Sequence, residues 1–390
     1  MIRRCRGCGN SELTTVLDLG TVPAADHFPP HDSPVDPAET GHPLRMDQCV
    51  ACGLAQLADD DTVTAEPRGI EPQALRDQAA AAVRLVHAAG LLHGSTVTEF
   101  GSPHGGTWLP LLTEHGFTEQ TEGAAEVVLD CFGIMHEPDQ RAAFAARAAA
   151  TAPDGVLLVQ YHSLAAIVGQ GQWNALRHGH FAYYSLSTLR ILLRAAGMSV
   201  VTAWEFELYG GTVLLAARHG EHAPDPAVER VLAAEARVLA GSAPALQQVV
   251  DQHVHSLHEW LETAAAQGTR VYAYGAASRA VALLSMAGAR RGLLAGVADA
   301  SAAKQGCRMP GTDVPIVSPA ELVAADPGAV LLTLPDLLTE VRTRLPELEG
   351  RWFVDNPTGP TSPTARPSPA DSRRAAHRPC GAECGTGRDG

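Results

Sequence analysis

Short apolar runs lie at residues 96–100, 126–130 and 155–159, and again at 270–274, 294–298 and 329–333. Alanine- and leucine-rich stretches with helical spacing fall between them, at 73–90, 140–151 and 186–196. Strand alternating with helix predicts βα units and parallel sheets. A hairpin is expected from residues 199–206 and 211–217, joined through Gly210-Gly211, and two bridging helices from 225–240 and 243–267. Residues 59–72, with Pro67, Gly69 and Pro72, read as a linker. From Asn356 onward Pro, Ser, Thr, Gly, Ala and Arg dominate, and the tail reads as disordered.

Two of the predicted strands run into small-residue turns that open helices. Thr96-Val97-Thr98-Glu99-Phe100 leads into Gly101-Ser102-Pro103-His104-Gly105-Gly106, and Arg270-Val271-Tyr272-Ala273-Tyr274 leads into Gly275-Ala276-Ala277. Strand, glycine turn, helix is the first unit of a nucleotide-binding α/β sheet.

Composition narrows the field. The 390 residues are 45% hydrophobic with a formal charge of −14, which argues against a nucleic-acid partner. No apolar run approaches a bilayer span, and Met1-Ile2-Arg3-Arg4-Cys5 lacks the apolar core of a signal peptide, so no membrane partner is expected. Four of the eight cysteines pair up as Cys5-Arg6-Gly7-Cys8 and Cys49-Val50-Ala51-Cys52. Two knuckles of two thiolates each match a closed tetrahedral Zn²⁺ site, structural because no coordination position is left for chemistry. Ordinary buried cysteines or two disulfides are the competing reading. Cys131, Cys307, Cys380 and Cys384 are scattered, and with the knuckles they point to a reducing cytoplasm.

The N-terminal module also carries Leu17-Asp18-Leu19-Gly20, Ala25-Asp26-His27-Phe28 and Pro43-Leu44. Later come Arg177-His178-Gly179-His180-Phe181-Ala182-Tyr183-Tyr184, then Lys304-Gln305-Gly306, Met309-Pro310-Gly311-Thr312 and Val314-Pro315-Ile316. In this order, over roughly residues 1–355, the chain resembles the C-methyltransferases of deoxysugar-nucleotide biosynthesis. The resemblance implies an α/β fold in parts. These are a zinc-binding module (1–60), a Rossmann-like S-adenosylmethionine (SAM) domain (73–220), bridging helices (221–268), a second Rossmann-like domain (269–355) and the tail (356–390). It also implies methyl transfer to the carbon beside the ketone of a nucleotide-linked deoxysugar, in secondary-metabolite biosynthesis. The last histidine of the family's His-Glu-His motif, the base, corresponds to His180, and the motif's first histidine to His178. The histidine after the fourth strand corresponds to His136. Glu99, Gly101, Ser102 and Gly105 fall on the cofactor loop. For His180 and His136 a structural role is the alternative, and Tyr183 and Tyr184 read as core or pocket wall. Arg177 and Arg279 suit a diphosphate clamp or a surface ion pair. His253, His255 and His258 read as solvated, not as a metal cluster.

The chain departs from the family at instructive points. The motif's preceding tyrosine is Arg177 and its glutamate is Gly179. Between Glu99 and Glu126 there is room for one helix and a second strand at 116–122, with Glu119 or Glu122 as the acid for the cofactor's ribose. A further helix and third strand do not fit, since a strand and a helix average about 5–6 and 11–12 residues. The expected SAM domain is therefore shortened, with one wall of the adenosine pocket missing. Three readings follow: a methyltransferase with a weakened or rebuilt cofactor pocket, a non-methylating keto-sugar enzyme such as an isomerase or reductase, and a silent partner of another pathway enzyme.

Overall fold

A computed structural model of the chain describes residues 3–62, 71–103, 105–240 and 243–363. Three sheets organise it. The first begins as a meander of β1 (Leu13–Val22), β2 (His42–Cys49) and β3 (Ala55–Leu57), all antiparallel.

After α1 (Gln73–Ala88) the second sheet starts. It takes β4 (Thr96–Phe100), helix α2 (Leu109–Glu114), β5 (Thr118–Glu119), β6 (Ala125–Cys131), α3 (Gln140–Ala150) and β7 (Thr151–His162). These four strands are parallel. Val127, Val128 and Leu129 in β6 and residues 156–159 in β7 are all buried. Such unbroken apolar runs belong to strands covered on both faces. Next come α4 (Leu164–Gly169), β8 (Ala182–Tyr183), α5 (Leu186–Ala195), β9 (Met198–Phe206) and β10 (Thr212–His219). The hairpin of β9 and β10 finishes this sheet in the order β5-β4-β6-β7-β10-β9.

Strand β8 does not join it. It pairs with β3, so the first sheet is completed by a segment more than a hundred residues away. Cys5, Cys49, Cys52 and Leu54 share a core with Leu186, Leu189, Leu192 and Leu193 of α5. The N-terminal 60 residues are therefore docked into the next sheet's core and do not stand alone.

Helices α6 (Pro226–Leu239) and α7 (Ala243–Ala266) lead to the third sheet. It is built from β11 (Val271–Tyr274), α8 (Ser278–Met286), β12 (Val297–Ala298), β13 (Ile316–Val317), α9 (Pro319–Ala324), β14 (Ala329–Leu332), α10 (Leu338–Arg344) and β15 (Trp352–Val354). All five strands are parallel, in the order β13-β12-β11-β14-β15. The chain order reverses beside β11, the switch point at which such sheets bind ligands.

Two expectations are corrected. His253 is buried, with Trp173 Nε1 donating to its Nδ1 at 3.0 Å and its Nε2 on Asp355 Oδ1 at 2.9 Å. An indole N–H only donates, so Nδ1 accepts and Nε2 carries the proton. This pin ties α7 to the segment after β15, and His253 is no solvated residue. The tail, read as disordered from Asn356, is ordered through residue 363: Val354 and Thr361 exchange backbone hydrogen bonds of 2.8 and 3.0 Å. Cys380, Cys384 and the rest of the tail lie outside the described residues.

The third sheet is tied to the loop between β1 and β2 by Arg308. Its buried guanidinium binds both oxygens of Glu39, and also the carbonyls of Ser33 and Pro34. The hydrogen bond from Arg308 is the main reason that Glu39 titrates near about 2. The unfolded carboxyl titrates near about 4.3, so this pair contributes stability above that pH and loses it as pH falls toward 2. Glu39→Gln is expected to cost roughly 3–5 kcal/mol at pH 7, because it strands a buried cation. Urea unfolding should show that penalty shrinking below pH 4; an equal penalty at both pH values would contradict the assignment.

Candidate functional site

The four knuckle cysteines converge. Their sulfurs all lie within 4.8 Å of one another, with Cys5–Cys52 and Cys8–Cys49 at 3.5 Å. None is disulfide-bonded. Four thiolates about 2.3 Å from a central Zn²⁺ stand about 3.8 Å apart, so the cluster fits a tetrahedral ion. Cys5 and Cys52 share one hydrogen bond, which pulls the Cys5 thiol down and pushes the Cys52 thiol up; an ion would take all four as thiolates.

Arg6, inside the first knuckle, connects this cluster to the histidines. Its Nε donates to Leu57 O at 3.1 Å, its Nη1 to Pro138 O at 3.1 Å, and its guanidinium lies 4.8 Å from the Phe181 ring centre. Pro138 and Phe181 follow His136 and His180 in the chain.

Residues 177–180 form a tight loop held from several sides. Gly179 has φ +77°, a conformation suited to glycine. Its N–H donates to Asp60 Oδ2 at 2.8 Å, and its carbonyl accepts a hydrogen bond from His136 Nδ1 at 2.9 Å. Asp60 belongs to the segment read as a linker. The rings of His136 and His180 meet edge to face, 4.5 Å apart. His178 points the other way, with its Nε2 3.2 Å from Pro43 O, and burial pulls its pKa down. Arg177 Nε donates to His180 Nε2 at 2.8 Å, and Arg177 Nη1 donates to Ser278 Oγ at 3.2 Å.

A cavity of about 280 Å³ opens between the second and third sheets. Of the three histidines read from the sequence, only His180 lines it. His136 stands behind His180, and His178 faces the first sheet. Four cations border the cavity, Arg177, Arg279, Lys304 and Arg344, in a chain of net charge −14. Lys304 is buried, its Nζ 3.0 Å from Ala276 O. At Gly275 (φ +100°) a Cβ would meet Thr333 Oγ1 at 2.7 Å, so the turn after β11 requires glycine.

Sequence reasoning missed His162, at the end of β7 on this wall. Burial, then the charge of Arg279, pulls its pKa down to about 3, so it stays neutral. Beside it Tyr209 and Phe132, both cavity residues, hold positive φ angles of 56° and 63° with rings 5.9 Å apart. Such strain in non-glycine residues concentrates where function requires it. The end of a parallel strand was the one available signal for His162.

The carboxyl edge of β4 looks different. Glu99, Gly101, Ser102 and Gly105 line a common space of about 30 Å³, and Ser102 and Gly105 also border the larger cavity. Glu99 is turned back on its own loop, accepting from Trp108 N at 2.7 Å and from the Thr107 hydroxyl. Burial raises its pKa. Strand β5 pairs only with Thr96 and Val97, so it stops three residues short of the end of β4. Glu122 is exposed in the turn that enters β6, on the opposite edge of the sheet from the glycine loop. The expectation that it ends the second strand beside the cofactor loop is therefore corrected.

Residues 5–66 match the family model of a zinc binding domain, and residues 207–357 match that of the C-methyltransferase C-terminal domain. Together they take in more than half of the chain. The C-methyltransferase NovU of Streptomyces niveus is 26% identical over 405 residues, which span 91% of this chain and 96% of that protein. The chain belongs to the C-methyltransferase family. Among solved structures, similar ones include the 1,6-didemethyltoxoflavin N1-methyltransferase of Burkholderia thailandensis with bound S-adenosylhomocysteine. It is 16% identical over 45% of this chain and 99% of that one, with a TM-score of 0.31. Another is the magnesium protoporphyrin IX methyltransferase of Synechocystis with bound S-adenosylhomocysteine. It is 13% identical over 38% of this chain and 84% of that one, with a TM-score of 0.29.

In this C-methyltransferase-family chain the donor edge is tight in its inner part, beside Glu99, while Ser102 and Gly105 also border the cavity of about 280 Å³. Small-molecule sites measure roughly 300–1,000 Å³, about ten times the space beside Glu99. Among the described residues no third strand lies beyond β5 to cover an adenine.

Proposed function

We propose that the chain works on the carbon beside the ketone of a nucleotide-linked deoxysugar, in secondary-metabolite biosynthesis, with His180 as the base. The observation that carries this reading is the shared cavity: His180 and neutral His162 face the same space as four cations, with Glu71, Asp299 and Glu340 also on its wall. The diphosphate goes to Arg279, Lys304 and the N-terminus of α8, whose turn and positive end suit an anion. Asp299, directly after β12, stands where the second strand of a nucleotide-binding sheet carries its ribose acid. It already accepts from Ala276 N and Ser301 N, both at 2.8 Å, so it is oriented before a ligand arrives. With the keto-sugar stretched from that turn, its acidic C–H reaches His180. The base takes the proton and the electron pair moves onto the carbonyl oxygen, giving an enolate. Neutral His162 on the same wall can donate a hydrogen bond to that oxygen. The free thiols and the absence, among described helices, of a membrane span accord with work in a reducing cytoplasm.

Family membership supports methyl transfer as the outcome. The shortened donor sheet, with no strand beyond β5 among the described residues, supports a second reading, in which the enolate is simply reprotonated. Two measurements on the zinc-loaded protein separate them. A nucleoside-diphosphate 4-keto-6-deoxyhexose in D₂O is expected to gain deuterium beside its ketone, without added SAM. Calorimetric titration with SAM is expected to give a Kd of about 0.1 mM: two or three missing hydrogen bonds of about 1 kcal/mol each weaken a micromolar site by about 100-fold. No deuterium uptake would remove the enolisation reading, and micromolar SAM binding with methylated product would remove the second.

A further inference from the structure

Arg177 occupies the place of the tyrosine in the related motif, and it caps the base. Its Nε–H points at His180 Nε2 across 2.8 Å, while its Nη1 reaches over to Ser278, the first residue of α8. A guanidinium never gives up its charge in a protein and has no acceptor. A ring nitrogen whose lone pair receives that N–H cannot accept a C–H proton at the same time. The same guanidinium borders the cavity in which Arg279 and Lys304 stand, and Arg177 and Arg279 repel each other there. An anion in the turn after β11 would relieve that repulsion, and planar guanidinium forks bind phosphate more strongly than they bind a neutral imidazole.

We propose that Arg177 is a specificity latch: it holds His180 out of action until a diphosphate in the cavity draws the guanidinium away, so that nucleotide-linked keto-sugars are enolised and free keto-sugars are not. The travel is small, because Nη1 already bonds the residue that opens α8, beside the anion's seat. Once the latch is open, His180 Nε2 takes the proton, the electron pair passes to the carbonyl oxygen, and the imidazolium returns a solvent-exchanged proton to the carbon. No further reactant is needed. The choice between sugars rests on the proposed function, whereas the latch itself can be read without any sugar.

Crystals of the zinc-loaded protein soaked in inorganic pyrophosphate provide the sugar-free reading. The expected result is pyrophosphate on Arg279 and Lys304, with Arg177 Nε moved beyond about 4 Å from His180 Nε2, past hydrogen-bond distance. Pyrophosphate bound with Arg177 still on His180, or no pyrophosphate bound, would overturn the proposal. In D₂O, the wild type should exchange the nucleoside-diphosphate keto-sugar at least about 100-fold faster than the free keto-sugar, the scale of a working general base. Added pyrophosphate should raise the rate on the free sugar. Arg177→Gln, checked for unchanged zinc content and melting temperature, should narrow that ratio to below about 10-fold. An unchanged ratio in Arg177→Gln would also overturn it. If neither sugar exchanges, the keto-sugar reading fails while the crystals still decide the latch.

Discussion

His180→Ala is expected to lower the rate of C–H exchange by about 100-fold or more at saturating keto-sugar nucleotide, with KM changed by only a few-fold. General bases contribute about 10²–10⁴ in rate, and among His136, His178 and His180 only the last borders the cavity. The substrate's anion is held by cations that this substitution leaves in place, which keeps KM nearly constant. His136→Ala should have a smaller effect, since His136 acts through the loop by bonding Gly179 O. Exchange rates measured by proton NMR across pH decide the point. Wild-type rates in His180→Ala would exclude it as the base.

Cys49→Ser should have an effect of comparable size on folding. Structural zinc in small domains supplies about 10–16 kcal/mol of apparent binding free energy, while whole domains are stable by only about 5–15 kcal/mol. Loss of the ion should therefore open the first sheet. Because β8 is a strand of that sheet, the damage should reach the 177–180 loop as well. Metal analysis should find less than one zinc per chain, and near-UV circular dichroism should show loosened packing around Tyr183 and Tyr184. Full zinc content with an unchanged spectrum would exclude the four-thiolate site.

Local patterns made much of the fold legible. The buried runs of β6 and β7, the glycine turn after β11 and the paired knuckles depend on neighbours in the chain, and their spacing carries the information. The shortened donor sheet was legible too, because residues 100–125 are too few for two βα units. What failed was anything set by distant partners. His253 lies on the buried face of α7 between Val250 and Leu257, but the polar partners that hold it there, Trp173 and Asp355, are 80 and 102 residues away. Glu122 was placed by counting along the chain, but the early end of β5 is decided by its pairing with β4. His162 had no motif around it.

By itself the sequence determined the α/β class, the thiolate cluster, the family and the loss of a βα unit, because each is written in residues close together or in plain length. Only the tertiary structure decided that His180, and neither His136 nor His178, reaches the cavity, that a strand from the middle of the chain closes the zinc sheet, and that Arg177 caps the base. Those facts depend on which surfaces pack together, and packing joins residues whose separation in the chain holds no record of their contact.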